Sequence, residues 1–170
     1  MEGILQSIVA AGFRQMEGRG LSLYRWDSLS ESFPDVWALQ DGQIVRRYSS
    51  RAARGSLTAR ILRSGKLYMV EDAVGADGMS PFLNPDIRSF VAVPVLVHGT
   101  PWGVLYVNSP QPHNFTTDDV AYVQAMARQL GSFLEESSTG SSGSVELSTV
   151  RVLAATVDAK DHYTRHHSTN

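Results

Sequence analysis

Three groups of residues carry side chains suited to chemistry. The first is histidine. His162 and His166 stand four apart, the spacing at which two imidazoles on one helix face chelate a metal. No third ligand accompanies them, which favours a solvated helix end instead. His98, in a turn, and His113, beside Pro112, read as surface residues. The second group is arginine. Of 15 basic residues only Lys66 and Lys160 are lysine. Arg46, Arg47, Arg51, Arg54, Arg60, Arg63 and Lys66 follow one another with no acidic residue between Asp41 and Glu71. Guanidinium forks suit phosphate and carboxylate, so this stretch is a candidate for an anionic effector. A solvated face paired with carboxylates from elsewhere, such as Glu71 and Asp72, is the commoner use of a charge run. Arg88, at the mouth of an apolar strand and beside a long loop, is the better single candidate for an effector contact.

The third group is aromatic. Tyr24, Trp26, Tyr48, Trp102 and Tyr106 fall on predicted strands, where rings more often pack across strands than line a pocket. Phe82 differs in sitting on the long loop, where a lid residue would sit. The ligand-binding candidates are therefore Tyr24, Tyr48, Phe82, Arg88, Trp102 and Tyr106. Cysteine is missing from all 170 residues. That removes disulfides, thiolate metal sites, thiol nucleophiles and cofactors held by a thioether. No P-loop, dinucleotide-binding glycine pattern, zinc motif or Ser-His-Asp arrangement appears.

The elements that must position these groups follow from periodicity. Residues 3–16 carry Ile4, Leu5, Ile8, Val9, Phe13 and Met16 at helical spacing, closed by Gly18 and Gly20. Residues 21–26 alternate, with Leu21 and Leu23 on one face and Tyr24 and Trp26 on the other. A loop over 28–34 leads to strands at 36–39 and 44–48, joined by Asp41-Gly42, a strong hairpin signal. Residues 51–63 read as a helix stopped by Gly65, and 67–70 as a short strand. Residues 73–87 form a long loop of the kind that serves as a lid or binding segment. Eight residues without a polar side chain, 90–97, predict a central strand covered on both faces. His98-Gly99-Thr100-Pro101 turns the chain into a strand at 102–107. Thr116 and Asp119 resemble a capping box opening a helix with Val120, Val123, Met126, Leu130, Phe133 and Leu134 inward. The whole predicts an α+β fold, an antiparallel sheet with helices on its faces and a C-terminal helical tail.

These elements, in order, carry a resemblance. Ile61-Leu62-Arg63-Ser64-Gly65-Lys66, Val70-Glu71-Asp72, Arg88-Ser89-Phe90-Val91-Ala92-Val93-Pro94-Val95, Gly103-Val104-Leu105-Tyr106-Val107-Asn108 and Phe115-Thr116-Thr117-Asp118-Asp119 are together similar to a bacterial GAF domain over residues 1–136. The resemblance implies a sheet with a pocket on one face and terminal helices, 3–16 and 118–136, that pair two subunits. It also implies a sensory role with a small-molecule effector. The cyclic-nucleotide branch of that family carries Asn-Lys, then Phe and an Asp-Glu pair. Here Asn108 is followed by Ser109, which lowers cyclic AMP or cyclic GMP as ligand. The missing cysteine sets aside the bilin-carrying and methionine-sulfoxide-reducing branches.

Residues 137–144, Ser-Ser-Thr-Gly-Ser-Ser-Gly-Ser, read as a flexible linker. Beyond it, 145–170 open another helical pattern with Val145, Leu147, Val150, Leu153, Ala154 and Val157. Residues 153–168 resemble the first helix of an HD-GYP domain, a metal-dependent cyclic di-GMP phosphodiesterase. His162 stands where Pro is usual and His166 where Gly is usual. By that resemblance His167 is the first ligand of a divalent iron or manganese in an intact parent, and the chain is expected to be a fragment without phosphodiesterase activity or cofactor. One histidine cannot hold a metal and lower the pKa of its water. The net charge of −2 gives nucleic acid and membrane surfaces no special attraction. No signal peptide or membrane span is read, and a cytoplasmic location is expected. The alternative to a sensory module is a dimerisation module whose pocket is closed by its own side chains.

Overall fold

The computed structural model describes residues 19–40, 43–48, 55–74 and 86–138. The expected helix at 3–16, the Asp41-Gly42 turn, most of the 73–87 loop, and the tail with its linker from 139 onward lie outside the described residues. The described residues form six strands and two helices: β1 (Gly20–Asp27), β2 (Ser32–Gln40), β3 (Gln43–Tyr48), α1 (Leu57–Ser64), β4 (Tyr68–Val70), β5 (Ser89–Val97), β6 (Thr100–Ser109) and α2 (Thr117–Ser138). They form one sheet in the order β3-β2-β1-β6-β5-β4, antiparallel at every pairing. The α+β reading holds.

Alternation along β1 sorts the core into two layers, as its sequence predicts. Leu21 and Leu23 join Trp37, Val91, Val95, Leu105 and Val107 beneath Val123, Met126, Leu130 and Phe133 of α2. On the opposite face Phe90, Ala92, Val104 and Tyr106 pack under Leu57, Ile61 and Leu62 of α1, with Tyr24 and Trp26 beside them. Both layers exclude water from apolar surface, the main favourable term in folding.

Local chemistry sets the boundaries. Gln40 pairs with Gln43, so the β2–β3 hairpin has a two-residue loop as Asp-Gly implies. At the β5–β6 turn His98 and Gly99 both have positive φ, 50° and 72°, and Val97 pairs with Thr100. Positive φ at both central residues matches the right-handed twist of the flanking strands. Helix α2 opens on a true capping box. The Thr116 N–H donates to Asp119 Oδ2 at 2.9 Å, and the Asp119 N–H donates to Thr116 Oγ1 at 3.2 Å.

Five boundaries differ from expectation. Strand β2 begins at Ser32 and includes Pro34, which sits where the β1 ladder is irregular, between Arg25 and Asp27. Proline is tolerated at such breaks. Helix α1 starts at Leu57, not at 51. Gly55 has φ 80°, and Ser56 is the N-cap, accepting from the Ala59 N–H at 3.1 Å. Gly20 is the first residue of β1, and the Asn108 side chain occupies the space a Cβ would need. Strand β5 is buried on both faces but stands second from the edge, the centre being β1 and β6. Helix α2 runs two residues past 136, with the hydroxyls of Ser137 and Ser138 donating to the carbonyls of Phe133 and Glu135.

Candidate ligand-binding face

The face of the sheet beneath α1 gathers the aromatic residues. Tyr24 meets Phe33 edge-on at 6.0 Å between ring centroids and Tyr106 at 5.4 Å. Trp26 tilts onto Phe33 at 5.1 Å, and Phe90 onto Tyr106 at 5.7 Å. Edge-to-face pairs of this kind match the positive rim of one ring to the negative face of the next. Tyr106 Oη and Thr58 Oγ1 share a hydrogen bond of 3.0 Å. Among the described residues it is the one side-chain hydrogen bond between α1 and the sheet. Burial pushes the Tyr106 phenol well above the usual tyrosine range, against the opposing pull of Thr58. The ring therefore keeps its proton and acts as a neutral donor or acceptor.

Arg88 lies at the start of β5, and its fork is engaged. Nε and Nη2 donate to the two carboxylate oxygens of Asp72 at 3.1 and 2.9 Å. The hydrogen bonds from Arg88 hold the Asp72 carboxyl below the usual range. The Ala73 N–H donates to the Arg88 carbonyl at 2.6 Å, and the Val74 N–H to Asp72 Oδ1 at 3.1 Å. Arg88 thus ties together the two ends of the connection between β4 and β5. It positions that connection from its base.

The arginine-rich stretch finds its carboxylate elsewhere than expected. Arg46 donates to Asp35 Oδ1 through Nη2 at 2.6 Å and Nε at 3.0 Å, and Arg25 Nε donates to Oδ2 at 2.6 Å. Burial alone would raise the Asp35 carboxyl, but these two guanidinium groups outweigh it and hold it below the usual range. Asp72 serves Arg88 instead, and Glu71 lies 3.5 Å from His113. Arg60 and Arg63 on α1 are exposed.

Of the six sequence candidates, Tyr24 and Tyr106 meet on the α1 face, and Arg88 stands at its margin. Trp102 does not join them. Val95 pairs with Gly103 but Leu96 with Pro101, so β6 carries Trp102 as one extra residue. A bulge of this kind re-aims its side chain. Trp102 packs toward the α2 layer, stacked on Trp37 with centroids 6.4 Å apart and planes at 11°. It also lines a cleft of about 400 Å³ with Trp26, Ser28, Leu62, Arg63, Val97, Thr100 and Pro101. Tyr48 stands opposite Asp35 in the β2–β3 register; its side chain, Phe82 and His167 lie outside the described residues. Thr58, Phe33 and Phe90 belong to the face and were missed. Only the spacing of Thr58 on α1 hints at its position. Among the described residues no three His, Asp or Glu side chains gather as a metal site, and no helix is long and apolar enough to cross a membrane.

The GAF domain model matches residues 1–134. The chain belongs to the GAF domain family. Among solved structures it is similar to the GAF domain of a phosphoenolpyruvate-protein phosphotransferase from Coxiella burnetii, at 17% identity and a TM-score of 0.61 over 81% of this chain and 84% of that one. It is also similar to a type II free methionine-R-sulfoxide reductase from Thermoplasma acidophilum, at 14% identity and a TM-score of 0.60 over 79% and 92%. A third is the GAF3 domain of Slr1393 from Synechocystis, at 15% identity and 0.59 over 81% and 95%. A search of curated proteins returned no match. At these identities the structures establish the fold, and the family is a sensory and regulatory one.

Within this GAF domain the end of β6 and the residues after it form a polar knot. Ser109 is fully buried, its hydroxyl accepting from the Gln111 N–H at 3.0 Å and from Asn114 Nδ2 at 2.8 Å. A lysine would not fit there. Asp119 instead receives its cation from the far end of the domain. Arg19 Nη1 lies 2.9 Å from Asp119 Oδ1, and Nη2 donates to Oδ2 at 3.1 Å and to the Asn114 carbonyl at 2.6 Å. The same guanidinium lies 4.8 Å above the Phe115 ring centroid. Burial would raise the Asp119 carboxyl, yet Arg19 and Thr116 together bring it below the usual range.

Proposed function

We propose that this GAF domain is the ligand-sensing regulatory module of a bacterial signalling protein whose output is an HD-GYP cyclic di-GMP phosphodiesterase. The observation that carries the sensing part is the Tyr106–Thr58 bond. A single pair of hydroxyls, with aliphatic contacts around it, links α1 to an aromatic sheet face. A small ligand entering between them exchanges that bond for its own polar group and keeps the apolar contacts. An effector acts only through its different affinity for two arrangements of the domain, here α1 seated and α1 displaced. The HD-GYP part rests on the resemblance of residues 153–168, with His167 as its first metal ligand in the intact protein. The domain itself does no chemistry in this reading, since its 170 residues supply no thiolate for the reductase-type reaction.

A second reading has an observation of its own. The rings of Tyr24, Phe33, Phe90 and Tyr106 already fill one another's space, as in a domain that serves dimerisation and binds nothing. Thermal unfolding against a nucleotide and metabolite panel separates the two. A ligand at one hundred times its dissociation constant adds about 2.7 kcal/mol, or roughly 5–10 °C for a chain of this size. A flat panel supports the dimerisation reading. Turnover of cyclic di-GMP by these 170 residues with added iron or manganese refutes the non-catalytic assignment.

A further inference from the structure

The cleft of about 400 Å³ at the end of the sheet is separate from the Tyr106–Thr58 contact and is built from three different elements. The β1 end and the turn after it contribute Trp26 and Ser28. The last turn of α1 contributes Leu62 and Arg63. The β5–β6 hairpin contributes Val97, Thr100, Pro101 and Trp102. Its volume falls within the range of small-molecule sites.

Both indoles are fixed before any ligand arrives. Trp102 is stacked on Trp37, and Trp26 is packed on Phe33. Rigid aromatic walls bind flat rings without the cost of ordering side chains. Among the described residues of the lining Arg63 is the only ionisable one, so the charge there has one sign. Arg63 is exposed and makes no hydrogen bond or ion pair among the described residues. Its position at a helix C-terminus would ordinarily disfavour an anion through the helix dipole. Here two of the four terminal carbonyls are occupied, those of Ile61 and Leu62. The Gly65 N–H reaches Ile61 and Leu62, and the Ser64 hydroxyl reaches Ile61. Against the remaining fractional charge of the helix end, Arg63 sets a full positive charge. A cationic ligand meets repulsion from Arg63, and no carboxylate stands among the described residues of the lining.

We propose that this cleft binds a small planar aromatic anion, with its ring against Trp26 and Trp102 and its acidic group on Arg63. The test uses the whole 170-residue chain and two probes, naphthalene-2-carboxylate and the uncharged naphthalene-2-carboxamide. The chain has three tryptophans, so its indole N–H resonances can be followed one by one in a nitrogen-edited NMR titration. The Trp26 and Trp102 resonances shift together and saturate with one dissociation constant. The carboxylate binds at least fivefold more tightly than the carboxamide, and Arg63→Ala removes that difference while leaving carboxamide binding unchanged. The proposal is overturned by non-saturating shifts, by equal affinity for the two probes, or by an Arg63→Ala variant that keeps the preference. A ligand between α1 and the sheet would be read at Tyr106, so failure here leaves the sensing proposal standing, and the reverse holds too.

Discussion

Replacing Gly131 with alanine sets two known effects against each other. Alanine in a helix interior is favoured over glycine by about 1 kcal/mol, so on propensity alone the variant should melt higher. In this fold the side of α2 at Gly131 lies directly on β5, and a Cβ there would strike the Leu96 carbonyl oxygen closer than real Cβ contacts allow. The obstacle is backbone within a paired strand, not the end of a flexible side chain. Relief requires moving α2 off the sheet along the face that buries Leu130, Phe133 and Leu134. Overpacking a filled interior costs about 1–3 kcal/mol, and shifting the helix adds lost contact at each of those side chains. The net expectation is a loss of about 1–2 kcal/mol, which for this size lowers the melting temperature by roughly 3–6 °C. Circular-dichroism melts with matching urea titrations measure it. Ser132→Ala, one residue on and exposed, is the control and should hold or gain stability. If Gly131→Ala melts at or above the parent, α2 does not sit this close to β5 and the helix–sheet packing described above is wrong.

Arg19→Met removes charged hydrogen bonds to Asp119 and Asn114; a loss of about 1.5–3 kcal/mol is expected, largely absent when Asp119 is already Asn, and a double-mutant cycle reads the coupling. Asp35 is depressed in the folded state, so its contribution is fully present above the ordinary value of 3.8 and fades as pH falls through the lower folded value. Asp35→Asn should therefore cost stability at pH 7, by about 1.5–3 kcal/mol, and flatten the acid limb of a stability–pH curve; an unchanged limb refutes the Arg25–Asp35–Arg46 assignment. Tyr106→Phe should cost about 1 kcal/mol in urea unfolding, and Thr58→Val in the same background should add less than it does alone.

What could be read from the chain in advance was whatever local chemistry decides. The alternation of Leu21, Leu23, Tyr24 and Trp26 survives because β1 is central and each of its faces meets a separate layer. The Thr116–Asp119 box, the His98-Gly99 turn and the Gly65 stop are set by residues within four positions of one another. Trp102 leaves the Tyr106 side of β6 through a bulge, which has no composition signal of its own. Arg19 was missed for a different reason. Its partners lie about a hundred residues away, and nothing near it marks it as anything but a surface cation. Arg88 was legible as a residue at the mouth of the strand, but its commitment to Asp72 depends on how the two ends of a long connection meet.

The two attachments of α2 have a mechanical consequence. Near its start the helix is gripped by Arg19 through Asp119, and near its end the His98 N–H donates to Glu135 while Gly131 rests on Leu96. At 1.5 Å per residue, about 24 Å of helix separates Asp119 from Glu135. A rod held at both ends resists pivoting about either. Displacement arriving at the β5–β6 hairpin is therefore carried to Ser138 as movement of the whole helix with its sheet, and a bend within α2 is the motion this arrangement suppresses.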